Sequence, residues 1–295
     1  MSEPLPILLA HGIARFDELR AQLRKIWKAP IIASGDNLHY FRGIRSRLRE
    51  QGFNAHHAHV PFAASVADRA NELRRETQRI LEETGAERLH IIAHSMGGLD
   101  ARRMIADCKE TAKSVASLST IGTPHLGTAF ADIALAKGGD TIVSALSRIL
   151  SLDGFKDLTR PACATFNDSA RAAETANDVV YQTWSSIEPD EKSVFLPLRP
   201  SWKIIHDEEG ENDGLVSETS QAWTDELCGT DGKVKQVAQH RFPFYADHWN
   251  QIGWWHPNRW SLSDGLFGVK AQIDEYERQV GEVYLEIANS VSGIS

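Results

Sequence analysis

The chain predicts an α/β fold with a mostly parallel sheet covered by helices on both faces. Three observations carry this expectation. Short apolar runs alternate with longer segments of helical period through the first half, the pattern of strands buried on both sides. The 295 residues are 42% hydrophobic and 24% charged, ordinary values for a globular chain that can bury a large core without staples. Residues 88–103 pass from an apolar run to a helix-like segment through one serine, Ser95. A single domain over residues 1–295 is the expected organisation, since α/β folds of this length often form one core.

The elements follow in order. Residues 7–10 read as the first strand. Residues 39–50 have helical character until Gly52, and 53–60 read as a strand. Residues 65–83 are the clearest helix of this half: Ser65 with Asp68 three residues on suggests a capping box, and Gly85 ends the segment. A strand at 88–93 leads into the Ser95 segment. Residues 115–121 form a further buried strand, ending in a Gly-Thr-Pro-His-Leu-Gly loop that is rigid by composition. In the second half, 140–150 carry an apolar helical stripe of Ile142, Val143, Leu146, Ile149 and Leu150. Residues 179–184 and 202–205 read as strands. Residues 265–288 form a closing helix with Ile273, Tyr276, Val280, Val283, Tyr284 and Ile287 on its inner face.

Charge and cysteine content exclude several classes. A net charge of -8 and the absence of a long basic run argue against a nucleic-acid partner. Arg42, Arg45, Arg47 and Arg49 read as the solvated side of a short helix. Cys108, Cys163 and Cys228 cannot all pair and suggest isolated thiols. No run reaches the roughly 18 apolar residues of a spanning helix, so no transmembrane segment is expected. The apolar stretch near the N-terminus lacks a basic leader and is too short for a signal peptide. Cytoplasm is therefore the default location, with secretion as the alternative if a leader has been removed.

The chemistry centres on Ser95. Leu89, Ile91 and Ile92 read as a buried strand, while Met96, Leu99 and Met104 have the spacing of a helix's inner face. A serine in so sharp a strand-to-helix turn needs small residues two positions to either side, because strand and helix nearly touch there. Ala93 and Gly97 meet that need. A serine hydroxyl is a weak nucleophile until a histidine takes its proton and a carboxylate holds that histidine's tautomer. On an elbow of this kind the chain order is serine, acid, histidine. Asp213, in the Asn212-Asp213-Gly214 turn after the expected 202–205 strand, is the candidate acid, with Asp207 in reserve. His248 is the candidate base, with His240 and His256 as alternatives. Backbone donors for an oxyanion would be Met96 N–H, at the start of the elbow helix, and Ile13 N–H, after the first strand.

Taken together, His11-Gly12-Ile13, Ala93-His94-Ser95-Met96-Gly97-Gly98, Gly122-Thr123-Pro124-His125-Leu126-Gly127, Asn212-Asp213-Gly214-Leu215-Val216 and Asp247-His248 resemble the ordered motifs of bacterial triacylglycerol lipases of the α/β-hydrolase superfamily. The similarity runs from about residue 5 to about residue 255. It implies the α/β-hydrolase fold with a helical cap or lid insertion, for which 128–160 is the candidate segment. It also implies a serine carboxylic-ester hydrolase acting on acylglycerols or similar esters, with Ser95 as nucleophile, His248 as base, Asp213 as its orienter, and Ile13 and Met96 as oxyanion donors. Asp213 is thereby favoured over Asp207, and His248 over His240. Three departures stand out. Ala93 replaces the usual glycine, the secreted members' signal peptide is missing, and Asn250 stands where the family's calcium site has an acid. Asparagine is the weaker ligand, so calcium is doubtful and no cofactor is expected.

Other readings stay beside this one. An esterase for short-chain or polyester substrates, or an acyltransferase, would use the same three residues. A non-catalytic binding module is disfavoured because every catalytic part is present. His56, His57 and His59 suggest a metal site only weakly, since on a strand His56 points away from the other two. Trp249, Trp254, Trp255 and Trp260 either line an acyl pocket or pack a loop-rich edge. The 140–150 stripe is either a lid, facing a lipid–water interface when open, or a core helix.

Overall fold

The computed structural model describes residues 4–13, 36, 39–62, 64–136, 152–255 and 265–294. Strands β1 (Ile7–Ala10), β2 (Ala55–His57), β3 (Leu89–His94), β4 (Val115–Ile121), β5 (Val180–Ser185), β6 (Glu226–Cys228) and β7 (Val234–Arg241) form one sheet in the order β2-β1-β3-β4-β5-β7-β6. All neighbours are parallel except β6, which pairs antiparallel with β7 at the edge. In chain order the α-helices among the described residues are α1 (Ile44–Glu50), α2 (Val66–Thr84), α3 (Met96–Asp107), α4 (Lys109–Lys113), α5 (Ala129–Ala136), α6 (Leu152–Phe155), α7 (Arg160–Ala176), α8 (Arg199–Glu209), α9 (Glu218–Ala222) and α10 (Gly265–Val291).

The two-residue period of the strands sorts the apolar residues into two cores. Ile7, Leu9, Ile92, Ile121 and Trp184 face one side, with Ile44 and Leu48 of α1 and Val280, Val283, Tyr284 and Ile287 of α10. Leu8, Ile91, Leu118 and Tyr181 face the other, with Ala70, Leu73 and Ile80 of α2 and Ala101, Met104 and Ile105 of α3. Burial on both faces explains why β1, β3 and β4 are wholly buried and read as continuous apolar runs. Helix α2 starts as its sequence suggests: Ser65 Oγ accepts from Asp68 N at 3.2 Å, and Gly85 takes the left-handed conformation at the other end. The Asp68 carboxylate, however, accepts from the Ser65 hydroxyl, so the box closes side chain to side chain.

Two expectations on the elements are overturned. Residues 202–205 are not a strand but part of α8, where Pro200 sits in the first turn and Trp202 and Ile205 bury one helical face. A short apolar run with Trp and Ile suits either state, and here packing of that face decides. The arginines around α1 are not merely solvated: Arg42 and Arg47 reach Glu277 and Glu282 of α10 at 2.8 and 2.7 Å. The β6–β7 hairpin has no counterpart among the sequence expectations. Val237 is buried in β7, but Gln236, Gln239 and Arg241 are exposed. The three cysteines are free thiols. The 140–150 stripe and Trp260 lie outside the described residues, as does His256.

Candidate active site

In a parallel sheet the strand C-terminal ends share one edge, and the loops leaving them build the site. Ser95 follows β3 with φ 58° and ψ -135°, a conformation outside the ordinary allowed regions that costs about 1–3 kcal/mol. Its surroundings hold it there. Ser95 N donates to Ile121 O at 2.9 Å, and Ser95 O accepts from Thr123 Oγ1 at 2.8 Å and from Gly98 N at 3.0 Å. The glycines after it are forced by space: a Cβ on Gly97 would lie 2.6 Å from Ala10 O, and one on Gly98 would lie 2.2 Å from Thr123 Oγ1. Because Gly97 meets backbone, which cannot rotate away, Gly97→Ala should destabilise the fold by roughly 1–3 kcal/mol, read as a lowered urea midpoint at unchanged slope.

The structure brings the sequence candidates together. Ser95 and His248 open onto one pocket, with Ile13 and Tyr40 beside them. His248 Nδ1 lies 2.7 Å from Asp213 Oδ2, and His248 N donates to Asp213 O at 2.7 Å. Asp213 is fully buried, and its charge is met by donors on both oxygens. Oδ1 accepts from Leu215 N at 2.9 Å and Val216 N at 2.8 Å, and Oδ2 accepts also from Gln251 Nε2 at 2.8 Å. An ionised carboxylate only accepts, so Nδ1 of His248 carries the proton and Nε2 is left as the ring's basic atom. Asp207 is exposed on α8, and His240 stacks on Trp184 at 4.4 Å; neither joins this cluster.

The loop after β1 is braced from behind. Buried Arg69 of α2 binds Asp100 of α3, with Nε to Oδ2 at 2.9 Å, and donates from Nη2 to His11 O at 2.6 Å and from Nη1 to Pro61 O. This pair escaped the sequence reading, although an arginine among Val66, Ala70 and Leu73 on a buried helical face was a usable signal. His11 stacks on Phe62 at 4.4 Å. Burial, with Arg69 adding to it, lowers the His11 pKa to about 3. Gly12 lies against the serine: a Cβ there would be 2.6 Å from Ser95 Cβ.

The pocket is lined mostly by apolar side chains, among them Phe130, Phe155, Leu158, Phe195 and Trp249. Trp249 thus lines it, whereas Trp254 packs under Arg42 at 5.1 Å and donates from Nε1 to Tyr40 O at 3.0 Å. The histidines of 56–59 take separate partners: His56 binds Asn54, His59 binds Glu76, and His57 binds Asp36 at 2.7 Å. In the loop after His248, Asn250 Nδ2 donates to Trp254 O at 2.8 Å, and the neighbouring Asp247 accepts from the Phe195, Trp249 and Asn250 backbone amides.

Residues 6–178 match the family described as alpha/beta hydrolase fold. The chain is 26% identical over 250 residues to triacylglycerol lipase 2 of Saccharomyces cerevisiae, covering 74% of each chain. It is 26% identical over 258 residues to a triacylglycerol lipase of Pseudomonas fragi, covering 73% of this chain and 80% of that one. Among solved structures, a metagenomic carboxyl esterase superposes with TM-score 0.67 at 16% identity, over 99% of this chain and 76% of that one. Staphylococcus hyicus lipase superposes with TM-score 0.62 at 17% identity, over 99% and 97%. The family match spans more than half of the sequence and takes in strands β1 to β4, the elbow and the loop after β1, so the chain belongs to the α/β-hydrolase family.

Proposed function

We propose that the protein is a serine carboxylic-ester hydrolase of lipase type, cleaving acylglycerols or similar esters through an acyl-enzyme on Ser95. The observation that carries the reading is the arrangement at the β3 elbow: a strained serine and a histidine bound at 2.7 Å to a buried aspartate open together onto an apolar pocket. The triacylglycerol lipases of yeast and Pseudomonas fragi support acylglycerols as the substrate class.

In this scheme the acyl chain lies along Phe130, Phe155 and Leu158, placing the ester carbonyl at Ser95. Ser95 Oγ attacks the carbonyl carbon while His248 Nε2 takes its proton, and Asp213 stabilises the imidazolium. The negative oxygen is met by Ile13 and Met96 N–H, each worth about 3 kcal/mol of barrier. His248 then protonates the departing alcohol, and a water activated by the same nitrogen releases the acid. Thr128, Phe130, Phe155 and Leu158 in the pocket wall all come from 128–160, which supports reading that segment as a cap that shapes the acyl site. No helix among the described residues is long and apolar enough to cross a membrane, so any lipid contact proposed here is with an interface from the water side.

The test is covalent. A p-nitrophenyl phosphonate should label the protein once, with the adduct mapped to Ser95 by peptide mass; absence of a label together with absence of ester turnover would overturn the reading. Initial rates on esters from butyrate to palmitate, below and above their solubility limit, then separate lipase from esterase. A rate jump at the interface is expected, and its absence would reassign the enzyme to soluble esters.

A further inference from the structure

Behind Asp213 runs a chain of buried hydrogen bonds that the acyl-transfer scheme leaves unused. Tyr40 Oη lies 2.7 Å from His94 Nδ1, and His94 Nε2 lies 2.8 Å from Gln251 Oε1. Gln251 Nε2 lies 2.8 Å from Asp213 Oδ2 and 2.7 Å from Ser186 Oγ. Its direction is forced. Asp213 can only accept, so the Gln251 group facing it is the NH2, and Oε1 must then face His94. His94 therefore donates from Nε2, and Nδ1 of the neutral ring accepts the Tyr40 hydroxyl proton. At the far end the Tyr40 oxygen lies against Gly12, where a Cβ would stand 2.8 Å from it. One directed chain thus joins the loop after β1 to the carboxylate that holds His248.

The site is built for this amide. Gln251 is buried, and its backbone is fixed at both ends: N donates to Asp247 O at 3.1 Å, and O accepts from Tyr284 Oη at 3.1 Å. Gly122 makes the room, since a Cβ there would stand 2.2 Å from Gln251 Oε1. The His94 ring also packs on the His248 ring, with centroids 4.5 Å apart.

We infer that Gln251 is a positioning residue for the aspartate of the triad, and that the Tyr40–His94–Gln251 chain sets Asp213 and His248 in register with the oxyanion loop. The inference rests on the hydrolase reading above.

The test uses Gln251→Met and Gln251→Leu, both of which remove donor and acceptor, the first at similar volume. With p-nitrophenyl butyrate, kcat should fall about 100-fold for each while KM stays within about twofold, as for a displaced catalytic group. The acid limb of the kcat/KM–pH profile should move in both variants. Tyr40→Phe, at the far end of the chain, should lower kcat by about tenfold. If the folded Gln251 variants keep kcat and the acid limb of the parent, or lose only thermal stability, the inference is overturned. Should the Met variant fail to fold, the Leu variant decides alone. A parent enzyme that phosphonate labels at Ser95 isolates that failure from failure of the hydrolase reading, in which the parent itself would neither label nor turn over.

Discussion

Ser95→Ala should lower kcat/KM for p-nitrophenyl butyrate by at least about 10⁴-fold while leaving the urea midpoint essentially in place. The size of the effect follows from what the alanine leaves behind. With no Oγ there is no acyl-enzyme, and a water would have to attack directly, without a group positioned for it. The donors of Ile13 and Met96 would remain, and they sustain a residual rate about 10³-fold or more above water. His248→Ala should cost about as much as Ser95→Ala, and the double variant little more than either, because proton transfer and attack are one event. Asp213→Asn should cost about 10³- to 10⁴-fold: the amide would present an N–H to His248 Nδ1 and favour the wrong tautomer. Since Asp213 also accepts from Leu215 N, Val216 N and Gln251 Nε2, the same substitution sets donor against donor at a fully buried site. Additive losses in the Ser95 and His248 variants would show that the two groups act in separate steps and would sink the proposed scheme.

The parts of the site legible in the sequence are those governed by local sterics. Gly97 and Gly98 announce the elbow because no side chain fits there, and Ser65 and Gly85 announce the ends of α2 because helix termini need caps and a left-handed residue. Asp213 was legible as the middle of an Asn-Asp-Gly turn, though the strand expected before it is the helix α8. The turn was a sufficient signal because Asn212 Oδ1 accepts from Gly214 N at 2.8 Å, a local bond independent of what precedes it. Gln251 and Tyr40 were not legible as a pair. They lie on a short 3₁₀ turn and a loop, 211 positions apart in numbering, and meet only when the sheet edge closes around His94. The β7 strand was hidden for a different reason: apart from Val237 its residues are exposed or only partly buried, so they carry no sustained apolar alternation.

Four buried histidines make the fold strongly sensitive to acid. Burial, with Arg69 adding to it, holds His11 at about 3, and burial with Arg88 nearby holds His90 at about 4. Burial, then the neighbouring His248, depresses His94 well below 6.5; burial, then Arg102, does the same to His125. In the unfolded chain each imidazole returns to about 6.5. Between pH 6.5 and about 4 the unfolded state therefore binds protons that the native state refuses, and stability falls as pH falls. Each group contributes a slope approaching 1.4 kcal/mol per pH unit, so four together reach about 5 kcal/mol per unit near pH 5, against a total of roughly 5–15 kcal/mol for a domain. Asp36 reinforces the trend only at lower pH: burial raises its pKa, but His57, Ser46 N–H and Arg45 outweigh it and hold it at about 2. Stability should thus be level above about pH 7 and drop steeply from pH 6.5 to 5, with these four imidazoles taking up between about three and four protons on unfolding at pH 5.5. Urea midpoints across that range measure the uptake directly. A value below one proton would mean that these imidazoles gain protons in the native state, and the neutral His94 required for the Tyr40–His94–Gln251 chain would then need a different account.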